Sequence, residues 1–242
     1  MITILGIEFT EWPLERVVEE CLNFIRSGSP HVVITAGPEF VMRVLRDPSL
    51  RRPIERADLI TPDGIGIVLA ARWRGTRLAG RVTGIELTER LLIEAETAGW
   101  GVYLLGASDP SFQSALSAIR RRHPDLRVDG RHGYFSEEEE REVIDQVAAF
   151  APHILLVGLG QPRQEVFVDR VRDQLNIPLA MGIGGTIDVL GGTVTRAPVW
   201  AQRLRLEWLY RLVREPRRLR RQMALPVFAW RAWREGRHSA RP

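Results

Sequence analysis

The chain has 242 residues, of which 45% are hydrophobic, and its formal net charge is +4. This length allows one large α/β domain or two small ones with a full apolar core. The single cysteine, Cys21, excludes an intrachain disulfide, and its apolar neighbours predict a buried thiol in a cytoplasmic protein. No apolar run reaches the roughly 20 residues that cross a bilayer, and we find no signal-peptide pattern.

Short β-branched runs alternate with helical patterns along the chain. This alternation predicts an α/β fold, a Rossmann-like, open, mostly parallel sheet with helices on both faces. We expect strands at 31–35, 57–61, 102–105, 126–129, 154–157 and 179–182. We expect helices at 38–46, 65–74, 83–98, 110–122, 136–150 and 162–175. Thr83 is a suitable N-cap for the third helix, and Ser136 begins a capping box in the fifth.

The C-terminal segment differs from the rest in charge. Residues 196–242 contain 13 Arg and 3 Glu, a net charge of +10, which leaves −6 for residues 1–195. Its arginines and leucines at helical spacing predict an amphipathic helix, followed by a second segment rich in Arg and Trp. We therefore expect a core domain (1–195) and a helical appendage (196–242). The appendage suits nucleic acid or the headgroups of a membrane, and the alternative is simple packing on the body.

Three predicted strands end in glycine-rich turns. These turns contain Gly106, then Gly158 and Gly160, then Gly182, Gly184 and Gly185. Glycine lets the backbone approach a phosphate, so the turns predict a nucleotide or sugar-nucleotide site beyond the carboxyl ends of the strands. The alternative is that tight turns need glycine without any ligand. Because G-x-G-x-x-G, a P-loop lysine and metal-ligand spacing are all missing, we expect no cofactor and no metal.

One acidic and one basic residue are candidates for the chemistry of the site. Asp63 follows a strand and precedes a helix, where a carboxylate can take a proton from a hydroxyl nucleophile. A helix cap or turn residue explains Asp63 equally well. Arg81 follows in the next loop and suits a phosphate or a sugar, although a lone loop arginine is usually only solvated.

These segments together resemble the WecG/TagA/CpsF family of bacterial glycosyltransferases. The matching pieces run in family order over nearly the whole chain: TAGPE at 35–39, DG at 63–64, RVTG at 81–84, GLGQPRQE at 158–165, GIGGTID at 182–188, RAP at 196–198, LEWLYRL at 206–212 and EPRR at 215–218. The blocks at 158–165 and 196–218 are specific enough to make chance agreement small.

The resemblance implies an inverting, metal-independent transferase. Family members move a sugar, often N-acetylmannosamine, from a UDP donor to a polyprenyl-diphosphate-linked sugar at the inner face of the cell membrane. Their products feed teichoic acid or other surface polysaccharides. The appendage would lie over the pocket at the anionic membrane surface, and its arginines would neutralise the UDP leaving group as metal ions do elsewhere. A homo-oligomer is a possible assembly.

The resemblance also implies roles for single residues. Asp63 matches the proposed general base, and the catalytic set is Asp63, Arg81 and Gln164. We expect the substrates to contact Thr35, Gly37, Gly106, Gly158, Gly160, Glu165, Gly184, Gly185, Asp188, Arg211, Arg218 and Arg221.

The chain departs from the family pattern at two positions. The family usually has Asn where this chain has Gly37, and the missing amide puts the sugar or the acceptor in doubt. Thr61 replaces a second, less critical Asn. Alternatives are another UDP-hexose (glucose or glucuronic acid), a catalytically impaired scaffold, a nucleotide-binding oxidoreductase and a nucleic-acid-binding protein. The acidic core domain argues against nucleic acid, and the missing fingerprint argues against the oxidoreductase.

Overall fold

The computed structural model describes residues 1–195, 197–198, 210 and 223–239. The strands are β1 (Ile2–Ile4), β2 (Ile7–Phe9), β3 (His31–Ala36), β4 (Leu59–Pro62), β5 (Val102–Gly106), β6 (Val128–Arg131), β7 (Ile154–Gly158) and β8 (Leu179–Gly182). Strands β3 to β8 form one parallel sheet in the order β4-β3-β8-β7-β5-β6, and β1 and β2 form a separate antiparallel hairpin. The predicted parallel α/β sheet is confirmed.

Helices follow nearly every strand of the parallel sheet. They are α1 (Leu14–Ser27), α2 (Pro38–Val44), α3 (Arg51–Glu55), α4 (Ile65–Trp73), α5 (Gly84–Ala98), α6 (Asp109–Arg122), α7 (Glu140–Phe150), α8 (Arg163–Leu175), α9 (Thr186–Leu190) and α10 (Ala224–Ser239), with a 3₁₀ turn at Pro48–Leu50. Thr83 caps α5 as predicted, because its hydroxyl accepts the Glu86 N–H.

Both faces of the sheet are buried, because successive strand residues point into two different cores. Tyr103 and Leu105 of β5 pack in the core formed with the hairpin, α2, α4, α7, α8 and α10. Val102 and Leu104 pack in the other core, with α1, α5, α6 and α9. Cys21 of α1 lies in this second core, and burial raises the pKa of its thiol to about 12, which confirms the predicted inert thiol.

The structure corrects several element boundaries. Regular helix α7 begins at Glu140 and not at Ser136, although the predicted capping box exists: the Ser136 N–H donates to the Glu139 carboxylate and the Glu139 N–H to the Ser136 hydroxyl. Strand β6 lies two residues beyond the predicted 126–129, since the Leu126 N–H is held in a turn by the His123 carbonyl. The hairpin, α1, α3 and α9 were not predicted.

The C-terminal helix α10 packs against the core domain. Phe228, Ala232 and Gly236 form its buried face. A β-carbon at Gly66 of α4 would lie 3.7 Å from the Phe228 ring, so α10 lies beside the start of α4. Glu235 accepts the Leu5 N–H at 3.0 Å and pairs with Arg74 at 3.1 Å. Among the described residues, no helix is long and apolar enough to cross a membrane.

Candidate active site

The carboxyl ends of β3 and β4 bring Gly37 and Asp63 into close contact. The Asp63 N–H donates to the Ala36 carbonyl at 3.0 Å, which continues the strand pairing into the loop. A β-carbon built at Gly37 would lie 2.9 Å from the Asp63 carbonyl oxygen, closer than real β-carbons come. Gly37 is therefore required by the path of the Asp63 loop, and this gives the departure from the family pattern a structural cause.

The first turn of α5 lies against the end of β3. A β-carbon at Gly84 would lie 3.3 Å from the Thr35 hydroxyl and 3.6 Å from the Thr186 hydroxyl, so Gly84 allows this close packing. The Val82 N–H donates to the Pro62 carbonyl at 2.9 Å, which fixes the loop that carries Arg81 beside the strand that carries Asp63. Asp63, Arg81 and Thr35 therefore occupy one edge of the sheet.

The two side chains that open α8 are buried beneath this edge. Gln164 is 1% exposed and Glu165 2%. The Gln164 amide nitrogen donates to Glu165 Oε1 at 2.8 Å, and its amide oxygen accepts the Gly184 N–H at 3.0 Å. Gln164 thus uses its donor and its acceptor inside the protein. It shapes the turn after β8 from below and does not line an open surface.

Glu165 carries a buried carboxyl group. Burial raises its pKa to about 7, against the opposing effects of hydrogen bonds from Gln164, its own backbone and Gln161 and of the Arg43 charge. Glu165 Oε2 is buried without a hydrogen-bond partner. Burial therefore favours the protonated form of this carboxyl group. The position of Glu165 in the first turn of a helix does not predict this property.

The glycine-rich strand ends meet backbone to backbone. A β-carbon at Gly106 would lie 2.5 Å from the Gly158 carbonyl, and one at Gly158 would lie 2.9 Å from the Gly184 carbonyl. Close packing alone thus requires Gly106 and Gly158, as the ligand-free alternative stated. Gly160 and Gly184 have positive φ (+78° and +53°) and open space beside Cα, so their backbones turn where a ligand has room to approach.

The remaining predicted residues divide into two groups. Gly185 precedes α9, and a β-carbon there would lie 3.6 Å from Oδ2 of Asp188 in α9, so the Asp188 side chain lies beside the turn after β8. Arg211, Arg218 and Arg221 lie outside the described residues. Within the described part of the chain, no group of three or more His, Cys, Asp or Glu side chains is arranged to hold a metal ion.

One exposed aromatic ring at this edge was not predicted. Tyr134, 75% exposed, follows β6. The loop is fixed on both sides: a β-carbon at Gly133 would lie 3.0 Å from Gly106 Cα, and Arg163 donates to the Gly133 and Phe135 carbonyls at 3.1 Å. An exposed ring on a fixed loop can stack on a planar ligand. The sequence feature that could have indicated this loop is Gly133, which allows the loop to approach the end of β5.

Removing the Glu165 charge should change how stability depends on pH. A carboxyl whose folded-state pKa is raised from 4.5 to about 7 stabilises the fold below pH 4.5 and loses that contribution as the pH rises to 7. Relative to Glu165→Gln, the wild-type free energy of unfolding should therefore fall between pH 5 and pH 8, by at most about 3 kcal/mol.

Urea unfolding at both pH values measures this difference. Glu137→Gln removes an exposed carboxyl and is the control, which should follow the wild type. A constant difference between the wild type and Glu165→Gln at both pH values would contradict the raised pKa.

Comparison with known proteins identifies the family of the chain. The model of the Glycosyl transferase WecG/TagA/CpsF family matches residues 2–242. A Bacillus spizizenii protein named N-acetylglucosaminyldiphosphoundecaprenol N-acetyl-beta-D-mannosaminyltransferase is 34% identical over 211 residues, which cover 87% of this chain and 81% of the relative. A Staphylococcus aureus (strain MW2) protein of the same name is 31% identical over 232 residues, covering 95% and 91%. The chain belongs to the WecG/TagA/CpsF family of glycosyltransferases.

Proposed function

We propose that the protein transfers N-acetylmannosamine from a UDP donor to N-acetylglucosaminyl-diphospho-polyprenol, the reaction named for its relatives. The observation that carries the proposal is the position of Asp63. It lies at the carboxyl end of β4, fixed by the Ala36 carbonyl and beside Gly37, on the edge where parallel sheets bind their ligands.

In this reaction Asp63 acts as the general base. Its carboxylate takes the proton of the acceptor hydroxyl while the hydroxyl oxygen forms a bond to the anomeric carbon of the donor sugar. The bond between that carbon and the UDP oxygen breaks with its electron pair, so the configuration inverts. The half-buried Asp63 is close enough to solvent to receive a hydroxyl and is placed by backbone contacts on both sides.

The donor lies along the same edge. Arg81 and the N-terminal end of α5 supply positive charge for the diphosphate, and the open space beside Gly184 admits the backbone approach that a phosphate or sugar needs. Tyr134 offers its exposed ring to the uracil base. Arg211, Arg218 and Arg221 of the appendage complete the charge neutralisation of the UDP leaving group.

The appendage (196–242) holds the enzyme on the cytoplasmic face of the membrane, where the lipid-linked acceptor lies. Support comes from α10, which packs one face on α4 and leaves Trp230 54% and Trp233 41% exposed. Arg234 lies 4.8 Å from the Trp230 ring centroid, and Arg237 lies 4.5 Å from that of Trp233. Tryptophan beside arginine suits the interface between headgroups and acyl chains.

The reaction class is tested by UDP release with a panel of UDP-sugars and a short-chain N-acetylglucosaminyl-diphospho-polyprenol, in buffer with EDTA. We expect release that depends on the acceptor, with UDP-N-acetylmannosamine as the preferred donor. Preference for UDP-glucose or UDP-glucuronic acid would assign a different sugar. No release with any donor, from protein that binds UDP, would contradict the transferase proposal.

Replacing the proposed base separates binding from chemistry. Asp63→Asn should lower kcat by about 10²–10⁴-fold, the usual contribution of a general base, and should leave the Kd for UDP unchanged. Calorimetric titration and initial rates measure the two quantities. Asp109→Asn, an exposed carboxylate at the start of α6 on the same edge, is the control and should keep kcat. A normal rate in Asp63→Asn would remove Asp63 from this role.

Membrane binding depends on charge in the outer face of α10. Replacing Arg231, Arg234 and Arg237 with Gln should weaken binding to anionic vesicles by about 100-fold, since each arginine near the surface contributes about 1 kcal/mol. Vesicle sedimentation at two salt concentrations measures this. The control replaces the three consecutive arginines that end α6, with the same change of charge. Equal losses in both variants would show nonspecific attraction and not a docking face.

A further inference from the structure

We propose that Glu165 is a positioning residue, whose buried carboxyl group fixes the orientation of the Gln164 amide. The oriented amide accepts the Gly184 N–H and so keeps the turn after β8 in the shape that the sugar nucleotide requires. This inference rests on the proposed transferase function. It changes the expected role of Glu165 from substrate contact to support, because a side chain that is 2% exposed has no surface to offer a substrate.

The first step is the orientation of the Gln164 amide. An amide can turn over and exchange its oxygen and nitrogen, which have opposite hydrogen-bonding roles. Glu165 Oε1 accepts from the amide nitrogen at 2.8 Å, and an amide oxygen in that place would make no bond to the ionised carboxylate. Glu165 therefore fixes the arrangement in which the Gln164 oxygen faces the Gly184 N–H at 3.0 Å.

The second step is the shape of the turn. Gly184 has a positive φ of +53°, which few residues other than glycine adopt. Its N–H is held by Gln164 and its carbonyl lies close against Gly158, so the turn is fixed on two sides. Loss of the Gln164 bond would leave the half-buried Gly184 N–H without its protein acceptor and free the turn from one of these contacts.

The third step is the surroundings of Glu165 itself. Gln161 and Arg43 both act on the Glu165 carboxyl group. The Gln161 amide nitrogen also donates to the Thr35 carbonyl at 3.3 Å, and the Gln161 carbonyl accepts from Arg43 at 3.4 Å. The peptide bond between Gln161 and Pro162 is cis. The carboxyl group thus lies among the ends of β3 and β8 and the start of α8, all of which border the proposed donor site.

The test compares two replacements at position 165. Glu165→Ala removes the acceptor, and we expect the KM for the UDP-sugar to rise about tenfold while kcat at saturating donor changes less than threefold. Glu165→Gln keeps an oxygen acceptor and should restore the KM to within about threefold of the wild type. Hydrogen exchange of the peptide that contains Gly184 should be at least tenfold faster in Glu165→Ala than in the wild type. Glu165→Gln should not show this increase.

A matched control and a second variant keep the result interpretable. Asp169→Asn alters a buried carboxylate one turn further along α8 that pairs with Arg52 and Arg56; it should lower the melting temperature and leave the KM unchanged. Where Glu165→Ala does not fold, Gln164→Met removes the same bond to Gly184 and should reproduce the faster hydrogen exchange.

Two results would overturn the proposal. One is wild-type KM and wild-type exchange at Gly184 in the variant that lacks the acceptor. The other is an equal rise in KM and in exchange rate for Glu165→Gln and Glu165→Ala. That result would show that the turn depends on the charge of Glu165 and not on its acceptor oxygen. Exchange at Gly184 requires no activity, so the proposal is tested even if the wild type transfers no sugar. Failure of the transferase proposal is seen separately, as absence of UDP release by the wild type.

Discussion

The site depends on one steric constraint, the close approach of main chains where neighbouring strands end. Gly106 lies against Gly158 and Gly158 against Gly184, at distances that leave no room for a β-carbon. Gly37 meets the Asp63 loop in the same way. These contacts bring the loops of β5, β7, β8, β3 and β4 to a common edge. Any side chain at these positions would push the loops apart before it met a ligand.

Much of the fold was predictable from local sequence, and the reasons are physical. Strand and helix periodicity predicted the parallel sheet, and the position of Asp63 after a strand predicted its place at the sheet edge. The family resemblance added Arg81 and Thr35. The hairpin at Ile2–Phe9 was missed because two three-residue strands contain too few alternations to show a period. The predicted contacts of the capping box at Ser136 are correct, but the predicted start of the helix lies too early in the sequence, since residues 137–139 form a turn before α7 begins.

The interior of the site was less predictable. Gln164 and Glu165 belong to a specific motif. The family resemblance assigned Gln164 to catalysis and Glu165 to substrate binding, whereas the structure buries both under the turn after β8. Burial of two adjacent polar residues at a helix start depends on how α8 packs on strands that come before and after it, which no local pattern contains. Tyr134 was missed because a single exposed aromatic residue in a loop belongs to no repeating sequence pattern. Arg211, Arg218 and Arg221 lie outside the described residues.

The contact between Phe228 and Gly66 has a geometric consequence for the proposed reaction. Gly66 lies in α4, which begins two residues after Asp63, so the helix proposed to lie on the bilayer packs directly on the element that follows the proposed base. With α10 on the surface, the height of Asp63 above the lipid is a fixed length of the molecule. Asp63 would then reach an acceptor hydroxyl only when the lipid headgroup places that hydroxyl at the same height. The enzyme would thereby select acceptors by the number of sugars already attached to the lipid.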